Sequence, residues 1–365
     1  MADIDGAVGG KTPSRSPSLR VELNALSLRA GGSGVQTYGR ELIRALSHEA
    51  MSIDIRAVVA RRDVHALPSG MARVQVRLPI DHGVVRKIVS ASRVRSDADV
   101  VHGLDTDVPF GGQAAKVVTV HDLALFDAPW AFSPASRFVK RRLVSESIRR
   151  SDHVIAVSAF TAQRVQDLFR RSSTVIHEAP AKDFHVPDPG AVQRIRAAFE
   201  LPDVFVFYAG NLEPRKDVPT LIAACRAANV PLVVTGGAMQ RTPLPANVRS
   251  VGYLSTSELC ALYNAASVVA YVATYEGFGL PPVEAMASGA CVMATRVGAL
   301  DEVATEGIEF VARSSSTAQA RAILDLLNDE AKSAHRRAQA VVEAGRLSWG
   351  AAAQSHLECY RRVAR

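Results

Sequence analysis

The sequence predicts an α/β protein built as two doubly wound parallel-sheet domains that face each other across a cleft. Three observations carry this. Short β-branched runs, apolar on both faces, alternate with helical patterns along the chain, as parallel strands covered on both sides require. The 365 residues, 48% of them hydrophobic, exceed what one ordinary core organises and suit two. A segment holding Pro180, Pro187 and Pro189, residues 179–190, interrupts the pattern and reads as the interdomain linker.

Residues 1–17 are rich in Gly, Ser and Pro, carry Asp3 and Asp5 and lack an apolar stretch, so a disordered tail is expected there and not a secretion signal. The first domain, 18–182, offers strands at 19–26, 53–59, 74–78, 100–103, 117–121 and 154–157. The second, 190–345, offers strands at 204–209, 232–235, 268–272, 291–295 and 309–311. A last helical pattern, 349–360 within the segment 346–365, is expected to cross back to the first domain.

Mean hydropathy is +0.07, and no stretch approaches the ~18 consecutive apolar residues of a membrane-spanning helix. A cytoplasmic protein is expected. Cys225, Cys260, Cys291 and Cys359 show no metal-ligand spacing and read as buried, reduced thiols. Charge is asymmetric: residues 1–185 hold 26 Lys and Arg against 19 Asp and Glu, whereas residues 186–365 hold 17 of each. The basic half therefore suits an anionic partner such as a membrane surface or a phosphate-bearing acceptor. Nucleic acid is not expected, because no aromatic-studded basic strand or recognition helix accompanies the charge.

The strongest local signal is YEGFGLPPVEAMASG, residues 275–289. Two glycines turn the chain after a strand, Pro281 or Pro282 opens a helix, and Gly289 closes it. The free amides of Phe278, Gly279 and Leu280 then lie at a helix N-terminus, which suits an anion. Glu276 before the turn and Glu284 one helical turn inside can both accept from hydroxyls of one ligand; alone, Glu284 would equally serve to favour the helix start. Upstream, FYAGNLEPRKD (207–217) places Gly210, Arg215 and Lys216 at the carboxyl edge of a sheet, where open α/β folds bind ligands. Two cations there would neutralise a pyrophosphate, although such a pair is also common on solvated faces. AGGSGV (30–35) joins the first strand to a helix and is either a tight turn or a phosphate cradle formed by Gly32, Ser33 and Gly34. His121-Asp122 ends another strand at the same kind of edge, where a histidine is often structural.

Together these pieces resemble the retaining glycosyltransferases of family 4, with the GT-B fold. The spacing of Glu276 and Glu284 matches that family's E-x7-E motif, and GGSGVQTYGRELIRAL, VVTVHDL, HVIAVSAFTAQRV, GNLEPRKD and the terminal LSWGAAAQSHLECY are similar to its other motifs. The resemblance runs from about residue 19 to 362. It implies that Glu284 holds the donor ribose and Glu276 the hydroxyls of the transferred sugar. The amides of Phe278, Gly279 and Leu280 would face sugar and diphosphate. Arg215 and Lys216 would grip the diphosphate with amides of Gly32–Gly34, His121 would line the cleft beside the sugar, and Tyr253 falls where the family's base-contacting loop lies. The sequence departs from the family at Asn211, where many relatives have Arg or Thr, and at HEAP (177–180), where they show an Asn-Gly step.

The implied activity is transfer of a hexose, mannose- or rhamnose-like, from a nucleotide-diphosphate sugar to a glycan or lipid-linked acceptor, with retention and without a metal or other cofactor. A GT-B-fold nucleotide-sugar epimerase and a non-catalytic nucleotide-sugar-binding module are the alternatives. The helical pattern at 82–95 adds a further expectation. Val84, Val85, Ile88, Val89 and Ala91 gather on one face, and Arg86, Lys87, Ser90 and Arg93 on the other. The apolar face is expected to dock on the sheet. The basic face, helped by Arg137, Lys140, Arg141, Arg142, Arg149 and Arg150, would then meet the inner face of the plasma membrane.

Overall fold

The computed structural model describes residues 19–29, 34–49, 53–69, 71–76, 83–93, 96–236 and 244–364. The tail 1–17, together with Gly32 and Ser33, lies outside the described residues. Strands β1 (Leu19–Asn24), β2 (Ile53–Ala60), β3 (Ala72–Val76), β4 (Val100–Gly103), β5 (Ala115–Val120), β6 (His153–Ala156) and β7 (Thr174–Val175) form one sheet, ordered β3-β2-β1-β4-β5-β6-β7. Strands β8 (Val206–Ala209), β9 (Leu232–Thr235), β10 (Val248–Ser250), β11 (Val268–Tyr271), β12 (Val292–Thr295) and β13 (Ile308–Val311) form a second, ordered β10-β9-β8-β11-β12-β13. All these pairings are parallel. Strand order reverses at β1/β4 and at β8/β11, so the loops leaving those strands sit at the switch points where such sheets take ligands.

The first half carries helices α1 (Gly34–Glu49), α2 (Gly83–Ser92), α3 (Ala124–Asp127), α4 (Pro134–Arg150) and α5 (Ala159–Phe169). The second carries α6 (Pro189–Ala198), α7 (Val218–Ala227), α8 (Thr256–Ala265), α9 (Leu280–Ala287), α10 (Leu300–Val303), α11 (Ser316–Asn328) and α12 (Glu330–Ala344), followed by α13 (Trp349–Val363). The period-2 geometry of a strand divides the second core in two. Phe207 and Ala209 join Val233 on one face, whereas Val206 and Tyr208 join Leu232 and Val234 on the other. Prolines mark helix starts as their fixed φ dictates: Pro189 opens α6 behind the cap Asp188, and Pro281 and Pro282 lie in the first turn of α9. The four cysteines are free and buried. No described helix is long and apolar enough to cross a membrane.

The last helix, α13, packs on α1 and buries Trp349, Ala353, Leu357 and Tyr360 in the same core as Val21 and Leu23 of the first sheet and Leu42 of α1. Polar groups in that contact satisfy one another. The Tyr38 hydroxyl lies 2.8 Å from Thr119 Oγ1 and 2.9 Å from His356 Nε2, and His102 lies 2.6 Å from the Tyr360 hydroxyl and 2.8 Å from Thr119. Burial holds both histidines below the usual imidazole range, His356 at about 4 and His102 in the same direction. The unfolded chain therefore takes up protons first. Stability contributed by neutral His356 is present above about pH 6.5 and is lost as pH falls toward 4, by up to about 3 kcal/mol. Thermal melts from pH 7.5 to 4.5 should show a falling Tm, and His356→Gln should flatten that fall. An unchanged slope would contradict the assignment.

Helix α2 corrects an expectation. Its basic face points inward: Arg86 donates to Asp105 (2.7 Å) and Asp107 (2.6 Å), Lys87 pairs with Asp107 and with Thr106 Oγ1 (2.9 Å), and Arg93 reaches Glu22 (3.3 Å). Ser90 is buried against Asn24, whereas Ile88 is 51% exposed. The reason is energetic. Asp107 and Glu22 are almost fully buried at the sheet, and a buried carboxylate without a counter-charge costs several kcal/mol. Leaving an isoleucine half-exposed costs less, about 1.5–3 kcal/mol at most. The carboxylates decide the face.

Candidate active site

The loop after β8 makes a short 3-10 turn, Pro214–Lys216, and passes through Asp217 at φ +51° into α7. This turn carries Arg215 and Lys216 at the carboxyl edge of the second sheet. The amide of Thr274, after β11, donates to the Arg215 carbonyl (2.7 Å) and ties the two loops together. Arg215 Nη1 donates to Glu276 Oε1 (2.6 Å), and its Nε to Glu213 Oε2 (2.8 Å). Lys216 Nζ donates to the same Glu276 oxygen and to the Tyr271 hydroxyl (3.1 Å). Arg215, Lys216 and Glu276 are all mostly buried. Burial alone would raise the Glu276 carboxyl; Lys216 and Arg215 outweigh it and hold it below the usual carboxylate range.

Past Glu276 the backbone meets the first domain. A Cβ on Gly277 would lie 1.6 Å from the His121 carbonyl oxygen, so only glycine permits this approach. The Gly277 carbonyl accepts from Ser158 Oγ (2.6 Å), and the Tyr275 hydroxyl donates to Asp127 Oδ2 (3.0 Å) while accepting from the Leu123 amide (3.2 Å). Glu302 of α10 accepts from the Ala159 and Phe160 amides at the start of α5 (2.8 and 3.0 Å) and from His177 Nε2 (2.9 Å). Gly279, at φ +100°, then opens α9. Phe278 and Leu280 are core residues, so it is their backbone that faces outward at the helix start.

Glu284 has a different setting. Burial and the nearby Glu178 and Glu41 push its carboxyl up to about 8, against the pull of Arg40. The charges within its range come from α1 and from Glu178, whereas Glu276 bonds the Arg215–Lys216 turn directly. Glu276 also lies within electrostatic range of Asp122, whose carboxyl burial pushes upward. His121 is mostly buried, with Nδ1 3.0 Å from Glu178 Oε1 and Nε2 2.8 Å from the Leu104 carbonyl oxygen. Gly34 begins α1, and a Cβ there would meet nothing within 4 Å. Gly210 follows β8 directly, and Tyr253 stands 76% exposed on the loop after β10. Arg215, Lys216 and Glu276 therefore form one cluster, and Glu284 lies within electrostatic range of Glu178.

Sequence reading missed Glu178, Asp122, Ser158, Tyr275 and Glu302 as site-forming residues. Glu178 was visible only as a departure from an Asn-Gly step, and its partner His121 is 57 residues away. Nothing local announces a pair formed by two loops of different origin. A shallow cavity of about 370 Å³ lined by Pro202, Arg226 and Asn247 lies at the opposite, amino-terminal edge of the second sheet and has no part in this chemistry.

A cation pair on a buried carboxylate thus stands beside a helix-opening amide turn at the switch point of the second of two doubly wound sheets, the architecture of the GT-B fold. Residues 32–179 match the family model Glycosyltransferase Family 4 and residues 192–344 match Glycosyl transferases group 1, and the chain belongs to these glycosyltransferases. It is similar to the serotype-specific mannosyltransferase WbdA of Escherichia coli, 28% identical over 59% of this chain and 29% of that protein, of which it therefore spans under a third. It is also similar to O-antigen chain mannosyltransferase B of Escherichia coli, 25% identical over 72% of this chain and 74% of that one. Among solved structures, Anabaena Alr3699/HepE in complex with UDP-glucose superimposes with a TM-score of 0.71 at 17% identity, covering 94% of this chain and all of that one.

Proposed function

We propose that this enzyme moves a hexose, mannose- or rhamnose-like, from a nucleotide-diphosphate sugar to a glycan or lipid-linked acceptor with retention of anomeric configuration. The observation that carries the reading is the sharing of one Glu276 oxygen by Arg215 and Lys216 at the carboxyl edge of the second sheet. Mannosyltransferase relatives and a structural neighbour solved with UDP-glucose support it. In this reading Glu284 accepts from the donor ribose and Glu276 from hydroxyls of the transferred sugar. The amides of Phe278, Gly279 and Leu280 face the diphosphate, Gly32, Ser33 and Gly34 are assigned to bind the same group, and Tyr253 meets the base. His121 lies by the sugar. The acceptor hydroxyl attacks on the leaving-group face, and a diphosphate oxygen takes its proton. Arg215 and Lys216 stabilise the charge that develops there, a task for which no metal is invoked. The domain contacts at Gly277 and Glu302 favour transfer over hydrolysis by excluding water.

A panel of nucleotide sugars ranked by thermal shift, followed by nucleotide-diphosphate release with and without acceptor, tests the proposal. Release that depends on acceptor is expected. Conversion of the donor without acceptor would indicate an epimerase, and binding without any turnover a binding module.

The proposed site of action is cytoplasmic, at the inner face of the plasma membrane, but by a different surface from the basic face of α2. Trp130 (59% exposed), Phe138 (72%) and Val139 stand out on and before α4, beside α2 with its exposed Ile88. Helix α4 carries six basic residues against the single acid Glu146, each basic side chain contributing about 1 kcal/mol near an anionic surface. Co-sedimentation with anionic vesicles at low salt is expected, weakened by high salt and by Phe138→Ala with Trp130→Ala. Equal binding to neutral vesicles, or none to either, would remove this contact.

A further inference from the structure

Both ring nitrogens of His121 face acceptors. Nδ1 lies 3.0 Å from a Glu178 carboxylate oxygen and Nε2 2.8 Å from the Leu104 carbonyl oxygen. A neutral imidazole owns one N–H and could serve only one of them; the doubly protonated ring serves both. The pair is shielded from solvent, with Glu178 4% and His121 11% exposed at the side chain, so its charge-assisted bond is strong.

We propose that Glu178 is a positioning residue that fixes His121 as an imidazolium and so sets a standing positive charge at the end of β5 for the sugar transfer. The proposal rests on the glycosyl-transfer reading given above. It assigns His121 a charge and not the role of a base: a ring already protonated on both nitrogens cannot take the acceptor's proton. Its positive charge adds to those of Arg215 and Lys216 in opposing the charge that develops on the departing diphosphate.

The groups around His121 agree. Glu178 arrives from the linker after β7 and Asp105 from the loop after β4; both favour the cation, and Asp122 follows His121 directly. From α1 the Tyr38 ring meets the imidazole edge-on at 4.5 Å, its phenol kept neutral by burial. His102 of β4 is also held neutral by burial, so it adds no competing charge. Burial works against the His121 cation, but Glu178 and Asp105 outweigh it, and the group titrates above the usual imidazole range.

Two measurements on the full chain test this. The first needs no donor: ¹⁵N spectra of the His121 imidazole at pH 7.5 should show two protonated nitrogens. A single neutral tautomer would overturn the proposal whatever the enzyme transfers. The second is the pH profile of kcat at saturating donor, which the effect of Glu178 on Glu284 and so on donor affinity does not enter. Loss of the imidazolium gives an alkaline limb, and Glu178→Gln, similar in size but uncharged, should draw that limb toward acid. The ratio of activity at pH 8 to that at pH 6 should then drop on the order of tenfold. Glu178→Asp, which keeps the charge, should restore most of it. A protonated His121 with an alkaline limb that Glu178→Gln does not move would refute the positioning role. A protonated His121 in a protein that transfers no sugar would instead refute the functional reading.

Discussion

Lys216→Ala should lower turnover roughly 10²- to 10³-fold, the loss typical of removing one preorganised stabiliser of a developing anion. Donor affinity should change far less, by about fivefold or under. The expectation follows from geometry. Lys216 and Arg215 converge on one Glu276 oxygen and are held there by the Tyr271 hydroxyl and Glu213, so neither cation must reorganise when charge appears on the diphosphate. Arg215→Ala should behave alike, with an added stability cost because its Nη1 also donates to the Tyr275 carbonyl oxygen (3.3 Å), a side-chain tie between the two loops of the site. An effect confined to KM would show that the pair binds only the ground state.

Glu284→Ala should weaken donor binding roughly 10- to 100-fold, as expected for loss of a charge-assisted hydrogen bond worth about 1.5–3 kcal/mol. The wild-type pH dependence supplies an independent check. Burial and Glu178 push this carboxyl up to about 8, yet it must be ionised to accept from two ribose hydroxyls. Donor affinity should therefore rise with pH, by at most about tenfold per unit, and level off near 8. Glu284→Gln should bind weakly at every pH and lose that slope. A slope unchanged in Glu284→Gln would mean that another group titrates, and the ribose assignment would fall.

The features legible in the sequence were those set by local rules. Strands such as 232–235 and the glycine-and-proline boundaries of α9 follow from periodicity and backbone chemistry, and they were enough to expect two doubly wound sheets. Strand β10, Val248–Ser250, escaped because three residues with Arg249 at the centre show neither alternation nor an apolar run. The facing of α2 escaped for a deeper reason. Its hydrophobic pattern is sound, but Asp105, Asp107 and Glu22 come from elsewhere in the chain and outbid it. The same holds for the site. Arg215, Lys216 and Glu276 stand at recognisable loop ends, whereas the pairing of His121 with Glu178 depends on where β5 and the linker meet in space.

The central claim is transfer with retention, and the anomeric configuration of the product tests it most directly. With an α-linked nucleotide-diphosphate hexose and acceptor, one-dimensional proton NMR of the first-formed glycoside should show the α anomer, with nucleotide diphosphate appearing in equal amount. A β-linked product would contradict retention and, with it, the front-side attack.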